Sequence, residues 1–114
     1  MKKCLEKTLQ TPVVDDLLSV VVSLRTKRET VRFLRDLLTE NEIKEFANRF
    51  QAARMLSQGI SYQTIQKKTG LSSRTVARIQ EWLTQGMGGY RLMISRLTNS
   101  HHSHIFSSFG KGVH

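Results

Sequence analysis

The segment Ser61-Tyr-Gln-Thr-Ile-Gln-Lys-Lys-Thr-Gly-Leu-Ser-Ser-Arg-Thr-Val-Ala-Arg-Ile79 constrains the fold of this chain more than any other. Ile65 precedes Gly70 by five residues, Leu71 comes directly after it, and Val76 and Ile79 return at helical spacing. Two short helices that meet at a sharp corner need a residue there that tolerates positive φ, and Gly70 supplies it. The spacing predicts a helix-turn-helix with Ile65, Leu71, Val76 and Ile79 as its shared apolar seam. Ser73, Arg74, Thr75 and Arg78 are left largely outside that seam. A unit of this kind lays its second helix in the major groove of DNA. The plainer alternative is a pair of packed helices with a solvated basic face.

The charge distribution bears on that choice. The 114 residues carry a formal net charge of +9. Residues 1–53 hold 10 Lys and Arg against 8 Asp and Glu, whereas residues 54–114 hold 8 Lys and Arg against Glu81 alone. The excess coincides with the helix-turn-helix and the segment C-terminal to it. Positive charge supplies sequence-independent affinity for phosphate through release of condensed counterions. Charge alone would also suit an ordinary soluble basic surface.

Helix signals recur along the chain and strand signals do not. Thr11-Pro12 reads as an N-cap followed by Pro at the first helical position, with Asp15 and Asp16 at the positive end of the helix dipole. The run Val20-Val21-Val22 favours a sheet by propensity, but the cap and the lack of partner strands predict a helix. Thr26-Lys-Arg-Glu29 and Thr39-Glu-Asn-Glu42 are capping boxes, opening a second helix and a third that runs to about Gln58. Gly59 ends the third helix, Ser61 caps the next, and Ser72 caps the one that runs to about Thr84. Gly86-Met-Gly-Gly89 forces a loop before a short last helix through Leu97. The expected organisation is an N-terminal extension over 1–10, one all-α domain over 11–97 and a disordered tail over 98–114.

Several functions are disfavoured. No apolar run approaches the roughly 20 residues of a membrane span, and the start resembles no signal peptide, so a cytoplasmic location is expected. Cys4 is the only cysteine, which excludes an internal disulfide, and it is assigned no role. His101, His102, His104 and His114 all fall in the expected tail, without a cysteine or carboxylate to complete a metal site, so no metal is expected. No nucleophile–base pair or Gly-rich phosphate loop is present in 11–97, so the chain is not expected to be an enzyme.

The residues from about 12 to 97 resemble the tryptophan repressor superfamily, in particular its YerC/YecD-like branch. The marks are Asp36-Leu-Leu-Thr-Glu-Asn-Glu42, Asn48-Arg49, Ala53-Arg-Met-Leu-Ser-Gln-Gly59, the helix-turn-helix, and Gly89-Tyr90 before Arg91-Leu92-Met93. The resemblance implies an all-α helical bundle with a helix-turn-helix, assembled as an intertwined homodimer that presents one reading unit per chain. It implies a DNA-binding transcription regulator, in particular a repressor, reading a roughly palindromic operator in double-stranded DNA.

The repressor's tryptophan pocket can be followed position by position. Arg49 and Arg78 match the two arginines that sandwich the indole, and Leu38, Thr39 and Thr75 match other lining residues. The repressor has a glycine after the second arginine, where this chain has Ile79. It has a small serine where this chain has Trp82. The pocket therefore reads as degenerate, blocked by Ile79 and Trp82, with no cofactor expected and any small-molecule effector unknown.

For DNA, Ser72, Ser73, Arg74 and Thr75 stand at the start of the reading helix. Arg74 is the first choice for base readout, because its planar fork matches guanine O6 and N7. The resemblance makes Gln63 a base-contacting position, and Thr75 and Arg78 backbone-contacting positions. Lys67, Lys68 and Arg54 are candidates for phosphate contact. A helical protein-interaction module and a nonspecific architectural DNA-binding protein remain the competing functions.

Overall fold

The computed structural model describes residues 7–107. From Pro12 onward the chain forms α1 (Pro12–Ser23), α2 (Lys27–Leu37), α3 (Glu40–Ser57), α4 (Tyr62–Thr69), α5 (Ser73–Gln85) and α6 (Gly89–Ser107). No strand occurs among the described residues. The chain divides into two units, Met1–Ile43 and Lys44–His114. Cys4 and residues 108–114, His114 included, lie outside the described residues, as do the side chains of His101, His102 and His104.

In the first unit, local signals fix the helix starts. Thr11 Oγ1 accepts a hydrogen bond from Val14 N–H at 3.3 Å, with Pro12 at the first helical position. The valine run therefore lies inside a helix despite its sheet propensity. Thr26 Oγ1 accepts from Glu29 N–H at 3.0 Å, and Glu29 Oε1 accepts from Arg25 N–H at 2.9 Å. The reciprocal bond reaches one residue further back than in a standard capping box. At α3 the box is complete: Thr39 Oγ1 accepts from Glu42 N–H at 3.1 Å, and Glu42 Oε1 accepts from Thr39 N–H at 2.8 Å.

Neither α1 nor α2 has a buried residue. Val13 and Val22 are 79% and 83% exposed, and Leu17, Leu18, Val20 and Val21 are also exposed. A helix that is apolar around most of its circumference belongs in a core. Among the described residues of the first unit, no core forms around α1.

The second unit holds the core. Ala52, Ala53 and Met55 from α3 meet Ile65 from α4 and Val76 and Ile79 from α5, and all six are buried. Leu56, Ile60, Leu71, Tyr90 and Ile94 pack around this cluster, half-buried. The third helix ends as the sequence predicts: Gly59 N–H donates to Leu56 O at 3.0 Å and Ile60 N–H to Met55 O at 3.0 Å. This paired closure satisfies two terminal carbonyls and turns Ile60 back onto the core.

One boundary differs from the sequence expectation. The last helix continues past Leu97 to Ser107, so the first ten residues of the expected tail are helical. The physical reason lies in the residue types of this stretch. No proline or glycine occurs between Gly89 and Gly110, so nothing interrupts the backbone once α6 has started.

Candidate nucleic-acid interface

The corner between α4 and α5 is built as its sequence requires. Gly70 has φ +76° and ends α4, its N–H donating to Gln66 O at 2.8 Å. Thr69 is buried beside it, at a position where a polar group needs partners. Its hydroxyl donates to Ile65 O at 2.7 Å and accepts from Leu71 N–H at 3.2 Å, so it splices the end of α4 to the turn. The predicted seam forms: Ile65 and Val76 are fully buried, Ile79 is 2% exposed, and Leu71 packs half-buried against them.

Both helices of this unit start with the same device. Ser61 Oγ accepts from Thr64 N–H at 3.2 Å, and Ser72 Oγ accepts from Thr75 N–H at 3.1 Å. In each, the serine hydroxyl also donates to the threonine hydroxyl, at 3.0 Å and 3.1 Å respectively. The caps fix where α5 begins and hence which residues form its first turn.

With the seam turned inward, Ser72, Ser73, Arg74 and Arg78 are exposed, and Thr75 is half-buried. Gln63, Lys67 and Lys68 are exposed on α4, and Arg54 is half-buried in the last turn of α3. Arg74 and Arg78 lie one helical turn apart, and neither forms an ion pair among the described residues. Free guanidinium groups on an exposed helix face can meet phosphate oxygens or guanine edges.

Behind this face lies a cleft of about 160 Å³ lined by Arg49, Thr75, Arg78, Ile79, Trp82 and Tyr90. Ile79 fills the inner side from the core, and Trp82, 40% exposed, forms part of the wall. Arg49 is held on its own helix by Glu45, at 2.5 Å, and lies 6.0 Å from the centre of the Phe46 ring. Tyr90 is a site residue that sequence reasoning missed. It enters because α6 packs back on α5, and the Gly89-Tyr90 pair is its only signal in the sequence. Desolvation pushes its phenol above the ordinary value of 10.0, and the nearby positive charge of Arg49 opposes that rise.

Leu38 and Thr39 belong to the first unit, where their local roles are clear. Leu38 caps the end of α2 with its N–H donating to Leu34 O, and Thr39 caps the start of α3. Among the described residues, no group of three or more His, Cys, Asp or Glu could hold a metal ion. No described helix is long and apolar enough to cross a membrane.

Comparisons with known proteins agree with this geometry. Residues 13–98 match the family model described as Trp repressor protein. The uncharacterized protein YerC of Bacillus subtilis (strain 168) is 37% identical over 84 residues, covering 74% of this chain and 81% of the relative. The crystal structure of a TrpR like protein from Eubacterium eligens superposes with a TM-score of 0.76 at 35% identity, covering 81% of this chain and 95% of that one. A candidate Trp repressor from Staphylococcus aureus superposes with a TM-score of 0.74 at 32% identity, covering 81% and 92%. The capped two-helix corner, the all-helical fold and these matches along most of the chain lead to one conclusion: this chain belongs to the Trp repressor protein family.

Proposed function

We propose that this protein is a homodimeric, sequence-specific DNA-binding transcription regulator that acts as a repressor by occupying its operator. The observation that carries the reading is the first half of α5. It is rigidly capped by Ser72 and backed by the buried Val76 and Ile79, and it leaves Ser73, Arg74 and Arg78 facing outward. Family membership supports a DNA-binding regulator. In this reading Arg74 reads a base edge with Gln63, while Thr75, Arg78, Lys67, Lys68 and Arg54 hold the phosphate backbone.

The bare apolar surface of α1 supports the dimer, since a second copy offers the same helices in return. A two-fold dimer presents its reading helices to half-sites about one helical turn, roughly 34 Å, apart, so the operator is approximately palindromic. The protein acts by occupancy without catalysis, in the cytoplasm where its DNA lies.

The same reading disfavours L-tryptophan as its effector. The cleft of about 160 Å³ falls well below the roughly 300 Å³ at which ordinary ligand pockets begin. Ile79 and Trp82, where the resemblance places a glycine and a serine in the repressor, line that cleft.

Selection of bound duplexes from a random DNA pool at near-physiological salt tests the function. One approximately palindromic motif with half-sites a helical turn apart supports the regulator. Salt-sensitive binding without any motif points to an architectural protein. Absence of DNA binding overturns the reading and leaves a protein partner for the basic face.

A further inference from the structure

The second half of the chain holds most of the net charge, yet α2 carries a separate array of arginines. Arg28, Arg32 and Arg35 occupy positions four and three residues apart on α2. At 100° per residue they fall within an arc of about 60°, on the side of the helix away from Phe33, Leu34 and Leu37. All three arginines are exposed, while Phe33 and Leu34 are half-buried.

The acidic neighbours form no ion pair with this stripe among the described residues. Glu29 Oε1 accepts the Arg25 N–H at the start of the helix. Glu29 and Asp36 line the same shallow groove as Arg32, yet among the described residues none of the three arginines forms an ion pair. Like charges one turn apart destabilise a helix, so the array is a local cost to α2 rather than a source of its stability. The stripe runs about 10 Å along the helix axis. Over that length one DNA strand, with a phosphate per roughly 3.4 Å of duplex axis, presents about three phosphates. The residues are arginines throughout, whose planar forks bind phosphate oxygens in pairs where a lysine offers a single point charge.

We propose that Arg28, Arg32 and Arg35 form a second phosphate-contacting surface for double-stranded DNA, distinct from the reading helix α5. It rests on the DNA-binding reading and extends it. The surface carries no base readout; it adds sequence-independent affinity and steepens the salt dependence of binding. An acidic protein partner is the competing occupant. Duplex DNA is favoured because the remainder of the chain's positive charge accompanies the helix-turn-helix.

The test compares the full-length wild type with R28Q/R32Q/R35Q on duplexes several helical turns long, reading log affinity against log salt. In the proposed homodimer the triple variant neutralises six phosphate contacts, three per protomer, which makes the slope shallower by about 5.4, at about 0.9 per contact. Affinity falls alike on specific and random sequences, and the selected motif is unchanged. R28K/R32K/R35K keeps most of the slope. Far-UV circular dichroism establishes that each variant is folded. If the triple variant unfolds, each single Arg→Gln variant, present once in each protomer, is expected to lose about 1.8 of slope. An unchanged slope in a folded variant overturns the proposal and returns the stripe to solvent or to an acidic protein. Wild-type protein that binds no DNA overturns the proposed function first, and this surface's partner with it.

Discussion

Truncating Ile65 probes the device that positions the reading helix. Ile65 is fully buried on α4 and belongs to the same cluster as Val76 and Ile79 of α5. Ile65→Ala removes three carbons from that cluster. At about 0.8 kcal/mol per buried methylene, the transfer contribution is about 2.4 kcal/mol. The surrounding helices cannot close fully over the gap, because the methyl groups of Ala52 and Ala53 on the α3 side of the cluster are too short to extend into it. A cavity contribution of about 1 kcal/mol brings the expected loss to about 3–4 kcal/mol, within the range for buried Leu or Ile to Ala. Ile65→Val, which removes one methylene, should cost about 1 kcal/mol. The assay is equilibrium urea unfolding at fixed protein concentration, because dimer formation makes apparent stability concentration-dependent. A loss below about 1 kcal/mol for Ile65→Ala, with an unchanged urea slope, would refute the claim that this seam holds α4 to α5.

Four further outcomes are expected. Gly70→Ala forces a Cβ into left-handed backbone at φ +76°, costing about 1–2 kcal/mol by the same unfolding assay although nothing crowds the site. Arg74→Ala weakens operator binding by about 1–3 kcal/mol and relaxes preference at one base position, seen by repeating the duplex selection with the variant. Isothermal calorimetry with L-tryptophan gives no heat for the wild type, and none for Ile79→Gly, since Trp82 still forms the wall; micromolar binding to the native protein refutes the blocked cleft. Because the folded Tyr90 phenol titrates above 10.0, the folded state holds its proton longer than the unfolded state. Its contribution is therefore complete below pH 10.0 and is lost as pH rises through the folded value, so Tyr90→Phe should flatten the alkaline fall in stability.

The helix boundaries set by short-range chemistry are legible in the sequence. Thr11, Thr26, Thr39, Ser61 and Ser72 each accept a backbone N–H within the first turn of their helix. Gly59 and Gly70 close theirs at the expected places. The seam of Ile65, Leu71, Val76 and Ile79 follows from periodicity, because residues three or four apart share a helix face. The end of α6 is less legible. Polar composition beyond Thr98 suggests a tail, but composition lowers the drive to bury a helix without breaking one, and neither of the strongest breakers, glycine and proline, occurs between Thr98 and Gly110.

What the sequence by itself determined was therefore local: the helices, their caps, the corner at Gly70 and the residues turned away from its seam. Tertiary structure alone decided which distant residues share a site. Arg49 on α3, Arg78 and Trp82 on α5 and Tyr90 on α6 line one cleft because three helices pack on a common core. That convergence depends on how closely the helices approach, which no spacing along the chain encodes. The exposure of the α1 valines and leucines is likewise a property of the folded first unit, since among its described residues nothing is buried on that helix. Periodicity says which residues want burial, whereas three-dimensional packing determines whether one chain has enough surface to bury them.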